Sequence, residues 1–212
     1  MDFLHPVEAL IPGARGQVLA ALTRNTSSRT VRQLALDAGV SWSRTSELIE
    51  DLHELGLVER RQTPGGVLVR LVEQNAAARL VQRMTDLRGP CIDAMREAAR
   101  RIRPAPLSLT VFGSFAHGRA GRDSDIDVVA VAPESAQSDA GSLSESLGRW
   151  VSEATAITGN PVNLIELGAG EMVPAAQKAP AWLREASQQG IVLVGQPLRE
   201  LMTVDEARRQ RA

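Results

Sequence analysis

In the stretch TVFGSFAHGRAGRDSDIDVVAVA, ten residues separate Gly113-Ser114 from Asp125, and Asp127 follows two positions later. A Gly-Ser turn offers backbone N–H groups and a hydroxyl of the kind that hold phosphate oxygens. Carboxylates hold hard divalent cations through oxygen. A donor-rich turn facing paired carboxylates is the combination that a nucleoside triphosphate with a divalent metal requires.

The flanking segments are suited to hold these groups in place. Leu107 to Phe112 is apolar and rich in β-formers, so it predicts a strand running into the glycine. Asp125 to Val131 predicts a second strand. Its alternation puts Asp125, Asp127, Val129 and Val131 on one face and Ile126, Val128 and Ala130 on the other. Two carboxylates on one face repel each other unless a cation or proton lies between them. Asp123 extends the same alternation if the strand begins early. A bare D-x-D also fits a solvated turn; the Gly-Ser turn, the spacing and the apolar strands together favour a site.

At these residues the chain resembles the nucleotidyltransferase superfamily that includes DNA polymerase beta, and within it the small bacterial branch called minimal nucleotidyltransferases. The family pattern is G-S, about ten residues, D-x-D, then a third acidic residue on a later strand. The likeness runs from roughly Pro106 to Pro197, and WLREASQQGIVLVG (182–195) is similar to the family's closing helix and strand. The resemblance implies that Asp125 and Asp127 are Mg2+ ligands and catalytic, and that Gly113 and Ser114 hold the triphosphate. It implies in-line attack on the α-phosphate with pyrophosphate leaving. Arg119 and Arg122, on the intervening loop, are candidate phosphate partners; the alternative is solvated loop charge.

The chain departs from the pattern twice. His117 stands where the family often has arginine; neutral histidine is a weaker phosphate partner, though it titrates near neutral pH. The strand expected to carry the third carboxylate is PVNLIEL (161–167), and the matching position is the neutral Asn163. Glu166, three residues on, points to the opposite face of a regular strand. Either a bulge recruits Glu166, or the site has two carboxylates only.

The length of 212 residues suits one large or two small domains, and 43% hydrophobic content is enough for real cores. No apolar run is long enough to span a membrane, and MDFLHPVEALIPG lacks the form of a signal peptide. A single cysteine, Cys91, excludes an internal disulfide and points to a reducing cytoplasm. Its place in an apolar stripe predicts packing rather than chemistry. The net charge of −1 hides an asymmetry: residues 1–103 carry fifteen Arg against twelve acids, and residues 104–212 carry nine basic residues against thirteen acids. A mildly basic first half permits nucleic-acid contact without proving it.

In that first half, Gly13 to Asn25 predicts a helix with Val18, Leu19 and Leu22 inward. Thr30 caps a second, with Val31, Leu34, Ala35 and Ala38 inward and Gly39 ending it. Ser41 caps a third running to Leu55, with Trp42, Thr45, Leu48, Ile49, Leu52 and Leu55 inward, and Gly56 stops it. Two short strands, LVERRQ and VLVRLV, follow around Thr63-Pro64-Gly65-Gly66. This order, and VRQLALDAGVSWSRTSELIEDLHELGLVERR in particular, resembles winged helix-turn-helix transcriptional regulators over residues 12–73. The resemblance implies double-stranded DNA as partner, with Ser41, Ser43 and Arg44 in the major groove and Arg60, Arg61 and Arg70 on phosphates. Such regulators usually bind paired half-sites as homodimers. Glu47, Glu50, Asp51 and Glu54 make the rest of the third helix acidic, so only its first turn suits a groove. The alternative is a protein-contact domain.

Residues 74–103 carry a helical stripe of Leu80, Met84, Leu87, Cys91, Met95, Ala98 and Ile102, broken at Gly89-Pro90. The expected architecture is α+β: a winged helix domain at 1–73, a helical connector at 74–105, a nucleotidyltransferase-type mixed sheet flanked by helices at 106–198, and a C-terminal helix or tail at 199–212. The resemblances imply a cytoplasmic DNA-binding regulator, with Mg2+ and NTP as ligands, that transfers NMP to an operon partner in a toxin–antitoxin or defence setting. The alternatives are a catalytically inactive nucleotide sensor, or a transferase acting on a protein, tRNA or small molecule without DNA binding.

Overall fold

The computed structural model describes residues 1–25, 27–134, 140–172, 175, 178 and 180–202. The expectation of a C-terminal helix or tail at 199–212 falls, beyond Met202, outside the described residues. The fold is a mixture of helices and sheets. The chain forms two compact units that divide between Leu87 and Arg88, with Met1 and Phe3 belonging to the second. That division lies inside the segment 74–105.

The first unit runs α1 (Pro6–Leu10), α2 (Ala14–Arg24), β1 (Arg29–Thr30), α3 (Val31–Ala38), α4 (Trp42–Glu54), β2 (Val58–Thr63), β3 (Gly66–Leu71) and α5 (Ala76–Met84). Thr30 caps α3 through a capping box with Gln33, and Gly39 closes it in the left-handed conformation at φ 64°. Val18, Leu19, Leu22, Leu34, Leu48, Ile49, Leu52, Val58, Val69 and Leu71 form its core. The hairpin is antiparallel and in register from Val58↔Leu71 to Thr63↔Gly66. The two-residue strand β1 adds to its far edge, with Arg29↔Val69 and Thr30↔Leu68.

Two residues expected inward are not, and Leu80 of the connector stripe is exposed with them. Trp42 is 61% exposed, Leu55 60% and Leu80 60%. Trp42 and Leu55 lie at the helical angle of the buried stripe Thr45, Leu48, Ile49 and Leu52, but a turn beyond each end of the surface that α4 covers. In α5 the inward stripe is Ala78 and Val81, which leaves Leu80 on the solvent side.

The second unit runs α6 (Arg88–Ala99), β4 (Ser108–Phe112), α7 (Gly113–Ala116), β5 (Ile126–Ala132), α8 (Ala140–Thr158), β6 (Val162–Gly168), a 3-10 turn (Ala169–Glu171), α9 (Ala181–Gln189) and β7 (Ile191–Gly195). Its mixed sheet has the order β6-β5-β4-β7. β5 is parallel to β6 and antiparallel to β4, and β4 is antiparallel to β7. One sheet face (Leu109, Val111, Ile126, Val128, Ala130) is covered by Ile92, Met95 and Ala98 of α6 and Leu147, Trp150 and Ala154 of α8. The other (Phe112, Val129, Val131) meets Leu183 and Ala186 of α9, with Met172 and Leu198. Burial at this level on both faces explains the near-continuous apolar run of β4 and β5. Burial also pushes the Cys91 thiol up, which keeps it protonated and unreactive, with Sγ 3.7 Å from the Ile157 carbonyl.

Candidate nucleotide site and helix-hairpin surface

β4 and β5 are central strands, and the candidate site lies where one ends and the other begins. Phe112, the last residue of β4, pairs with Asp127. The chain then turns at Gly113 with φ 72°, and a Cβ there would lie 2.5 Å from Asp127 Oδ2. Glycine is needed twice over, for the backbone angle and for the approach of the carboxylate. α7 follows at once. Ser114 is half-buried in it, and its carbonyl accepts from the Arg119 amide at 2.8 Å. Asp127 shares its face with Val129 and Val131, as the alternation predicts, and is half-buried. Asp125 lies one residue ahead of β5 and is exposed.

The neighbouring strand decides the question of a third carboxylate. Asp127 pairs with Asn163 in the parallel register, which runs unbroken from Ile126↔Val162 to Ala132↔Gly168. Without a bulge, Glu166 stays on the opposite face, where it accepts from Ser144 Oγ of α8 at 3.5 Å. Asn163 Nδ2 instead donates to Asp127 Oδ1 at 3.1 Å. The candidate site therefore offers Asp125 and Asp127, with the neutral Asn163 amide beside Asp127.

Neither aspartate has an ion-pair partner among the described residues. Two carboxylates without a cationic partner beside the Gly113 turn fit a Mg2+ nucleotide, because Mg2+ takes one or two carboxylates and completes its shell with phosphate and water. Among the described residues no group of three or more His, Cys, Asp or Glu is placed to hold a metal, in keeping with that limited donor set. Arg119 and Arg122 are exposed, and neither side chain has a partner among the described residues.

Three supporting contacts were not foreseen from the sequence. His117 is pinned rather than directed at the loop: Nδ1 meets the Gly113 carbonyl at 2.7 Å and lies 3.4 Å from Glu185 Oε1, and Nε2 meets Gln189 Oε1. The ring thus ties α7 to α9. Arg88 Nη1 donates to the Ala116 carbonyl at 2.7 Å, satisfying the open C-terminal end of α7. Asn160, 1% exposed, donates to the Ser124 carbonyl at 2.8 Å beneath the aspartate loop. The local sequence Gly-Asn-Pro at 159–161 signals a turn; its partners some forty residues away carry no local signal.

On the first unit, Ser41 is the N-cap of α4, its Oγ accepting from the Arg44 amide at 3.4 Å, with Ser43 Oγ 3.5 Å away. Arg44 pairs with Glu47 at 2.8 Å, Arg60 with Glu50, and Arg70 with Glu59 at 2.6 Å. Arg61 is exposed and has no side-chain partner among the described residues. The hairpin's alternation separates the three wing arginines. Arg61 and Arg70 line one cleft with Ser28, Glu59 and Leu68. Arg60 faces α4, in a groove of about 340 Å³ with Trp42, Arg32 and Ile49.

Residues 92–171 match the family model of the nucleotidyltransferase domain. No curated protein matches the sequence. Solved structures similar to this chain include a toxin–antitoxin with AMP-PNP, at 18% identity and a TM-score of 0.37, covering 57% of this chain and 87% of that one. Another is a mutant of the toxin–antitoxin MntA–HpeT, at 17% identity and a TM-score of 0.38 with the same coverage. Among the described residues no helix is long and apolar enough to cross a membrane. Residues 92–171, which hold the Gly113–Asp127 turn, thus match a nucleotidyltransferase domain.

Proposed function

We propose that this chain is a DNA-binding regulator whose second unit binds a magnesium nucleoside triphosphate and transfers NMP to a partner protein. The observation that carries the nucleotide half is the contact of Asp127 with the bare Gly113 backbone, which brings phosphate donors and metal ligands to one point. Gly113 and Ser114 hold the triphosphate, Arg119 and Arg122 neutralise its outer oxygens, and Asp125 and Asp127 hold Mg2+. Mg2+, when bound, supplies Lewis-acid stabilisation of the α-phosphate. In the transfer an acceptor hydroxyl oxygen forms a bond to the α-phosphorus, the α–β bridge breaks, and pyrophosphate departs with the electron pair. The acceptor's proton goes to water, since the Asn163 amide cannot take it. The match of residues 92–171 to the nucleotidyltransferase domain supports this chemistry, and the toxin–antitoxin setting that the sequence resemblance implies would supply the partner class.

One observation favours a second reading, a nucleotide sensor without turnover: Asn163 occupies the third acidic place and is hydrogen-bonded to Asp127. Pyrophosphate release separates the two. The protein is incubated with Mg2+ and each labelled nucleoside triphosphate, with and without its operon partner. Release that tracks the partner supports transfer. Binding without release from any nucleotide supports the sensor.

The DNA half rests on the order α2-α3-α4 followed by the β2–β3 hairpin, which is that of a winged helix, and on the exposed first turn of α4. Arg44, Arg60 and Arg70 are each paired with a carboxylate, so DNA must displace those partners; the phosphate contacts themselves make affinity fall as salt rises. Arg44→Ala should relax base preference at one position, at a cost of about 1–3 kcal/mol, measured by fluorescence anisotropy on matched and scrambled duplexes. An equal loss on every duplex would make Arg44 a phosphate contact instead. No binding to any duplex would leave the first unit as a protein-contact domain.

A further inference from the structure

We propose that Asn160 is a positioning residue that sets Asp125 in place for the metal and nucleotide; this rests on the nucleotide-site reading above. Asp125 is exposed, and its side chain has no hydrogen-bond or ion-pair partner among the described residues, so its place is decided by the backbone on either side. On the far side the Ile126 amide donates to the Pro161 carbonyl at 2.8 Å. On the near side Asn160 Nδ2 donates to the Ser124 carbonyl at 2.8 Å and lies 3.4 Å from the Gly121 carbonyl and 3.5 Å from that of Arg122. Three carbonyls of the turn that leads into the aspartates therefore converge on one amide nitrogen. Gly121 and Ser124 close the turn on themselves, with the Gly121 amide 3.0 Å from Ser124 Oγ and the Ser124 amide 3.2 Å from the Gly121 carbonyl.

The chemistry selects asparagine at this point. The group must donate into the carbonyls and also accept, because Oδ1 lies 2.7 Å from the Met1 amino group. Aspartate has no N–H for the carbonyls and would place charge against them. Alanine would take the Nδ2 donor from the partly buried Ser124 carbonyl and leave the Gly121 carbonyl only the Ser124 amide. Asn160 is itself fixed: Thr158 Oγ1 bonds both its amide, at 3.3 Å, and its carbonyl, at 3.2 Å, and Gly159 turns the chain at φ 71°. Asn160 and Pro161 are consecutive, so one short segment holds both ends of the aspartate's backbone.

The test uses the full chain in two arms. Hydrogen exchange of residues 121–126, without metal or nucleotide, reads the loop itself. The ratio of nucleoside triphosphate affinity in Mg2+ to that in EDTA reads the carboxylates. Asn160→Ala is expected to speed loop exchange about tenfold and to lower the magnesium ratio about tenfold. Metal-free nucleotide affinity, which rests on Gly113 and Ser114, should hold. Ser146→Ala is the control, since it removes a hydroxyl bond from α8 to the Arg103 carbonyl (2.7 Å), away from the aspartate turn; it should lower the melting temperature and leave both readings alone. Should Asn160→Ala fail to fold, Asn160→Ser keeps one donor and should give intermediate values. Faster exchange with an unchanged magnesium ratio would overturn the positioning role, as would Ser146→Ala moving both readings in step with its melting temperature. A wild-type protein without any magnesium-dependent binding would instead remove the nucleotide-site reading, which the exchange arm does not depend on.

Discussion

With Asp125→Asn and Asp127→Asn combined, magnesium no longer strengthens nucleoside triphosphate binding, and the protein stays folded. The amides keep the shape of the carboxylates and lose the charge that a hard cation requires. The magnesium-dependent part of the affinity should fall by about a hundredfold or more, as two charged ligand oxygens become neutral. The fold should scarcely notice. Asp125 is exposed, and Asn163 Nδ2 can still donate to an amide oxygen at the position of Asp127 Oδ1, where the bond is 3.1 Å. Titration calorimetry in Mg2+ and in EDTA, with a melting curve, reads both. Equal affinity of mutant and wild type in Mg2+ would remove the site.

Asn163→Asp should have the second large effect, with two opposed parts. Without metal, the donor to Asp127 is replaced by a like charge on the adjoining strand, and a cost of about 1 kcal/mol or more is expected. Repulsion raises the folded-state pKa of the pair above its unfolded value. The penalty is therefore full at neutral pH and disappears as the pH falls through the raised pKa. Mg2+ should relieve it as well, so the variant should gain more melting temperature from Mg2+ than the wild type does. In the transfer assay the added carboxylate can take the acceptor's proton, and pyrophosphate release should rise at least about tenfold. A variant that binds Mg2+ nucleotide more tightly and still releases nothing would place the block elsewhere than at position 163.

Much of the second unit was legible because its signals are local. The β4–Gly113 junction and the β5 alternation are short-range patterns, and Asp127 lies on the face that period two assigns. Asn163 was identified as the third position from its place in the strand, and the β5–β6 register puts it beside Asp127. Whether Glu166 joined the site depended on a bulge, which is a property of two strands and not one. Asn160 escaped notice for the same reason: its partners at 121–124 are brought to it by the sheet. In the first unit, helical angle does not bring burial at Trp42 and Leu55, where the stripe outruns the surface available to cover it. The arginine–glutamate pairs of α4 and the hairpin also stayed hidden. Arg60 and Glu50 meet only once the hairpin folds back on the helix.

The closeness of Asp127 to Gly113 makes the site a gauge of length as well as of charge. A substitution on β5 that keeps the negative charge but adds one methylene, Asp127→Glu, has no room to extend straight, because the turn's backbone already touches the shorter acid. The longer carboxylate must swing aside and lose its alignment with the Asn163 amide. Charge conservation and function should therefore part company here: electrostatics alone would rate the swap silent, while the spacing between the Gly113 turn and the carboxylate would not survive it.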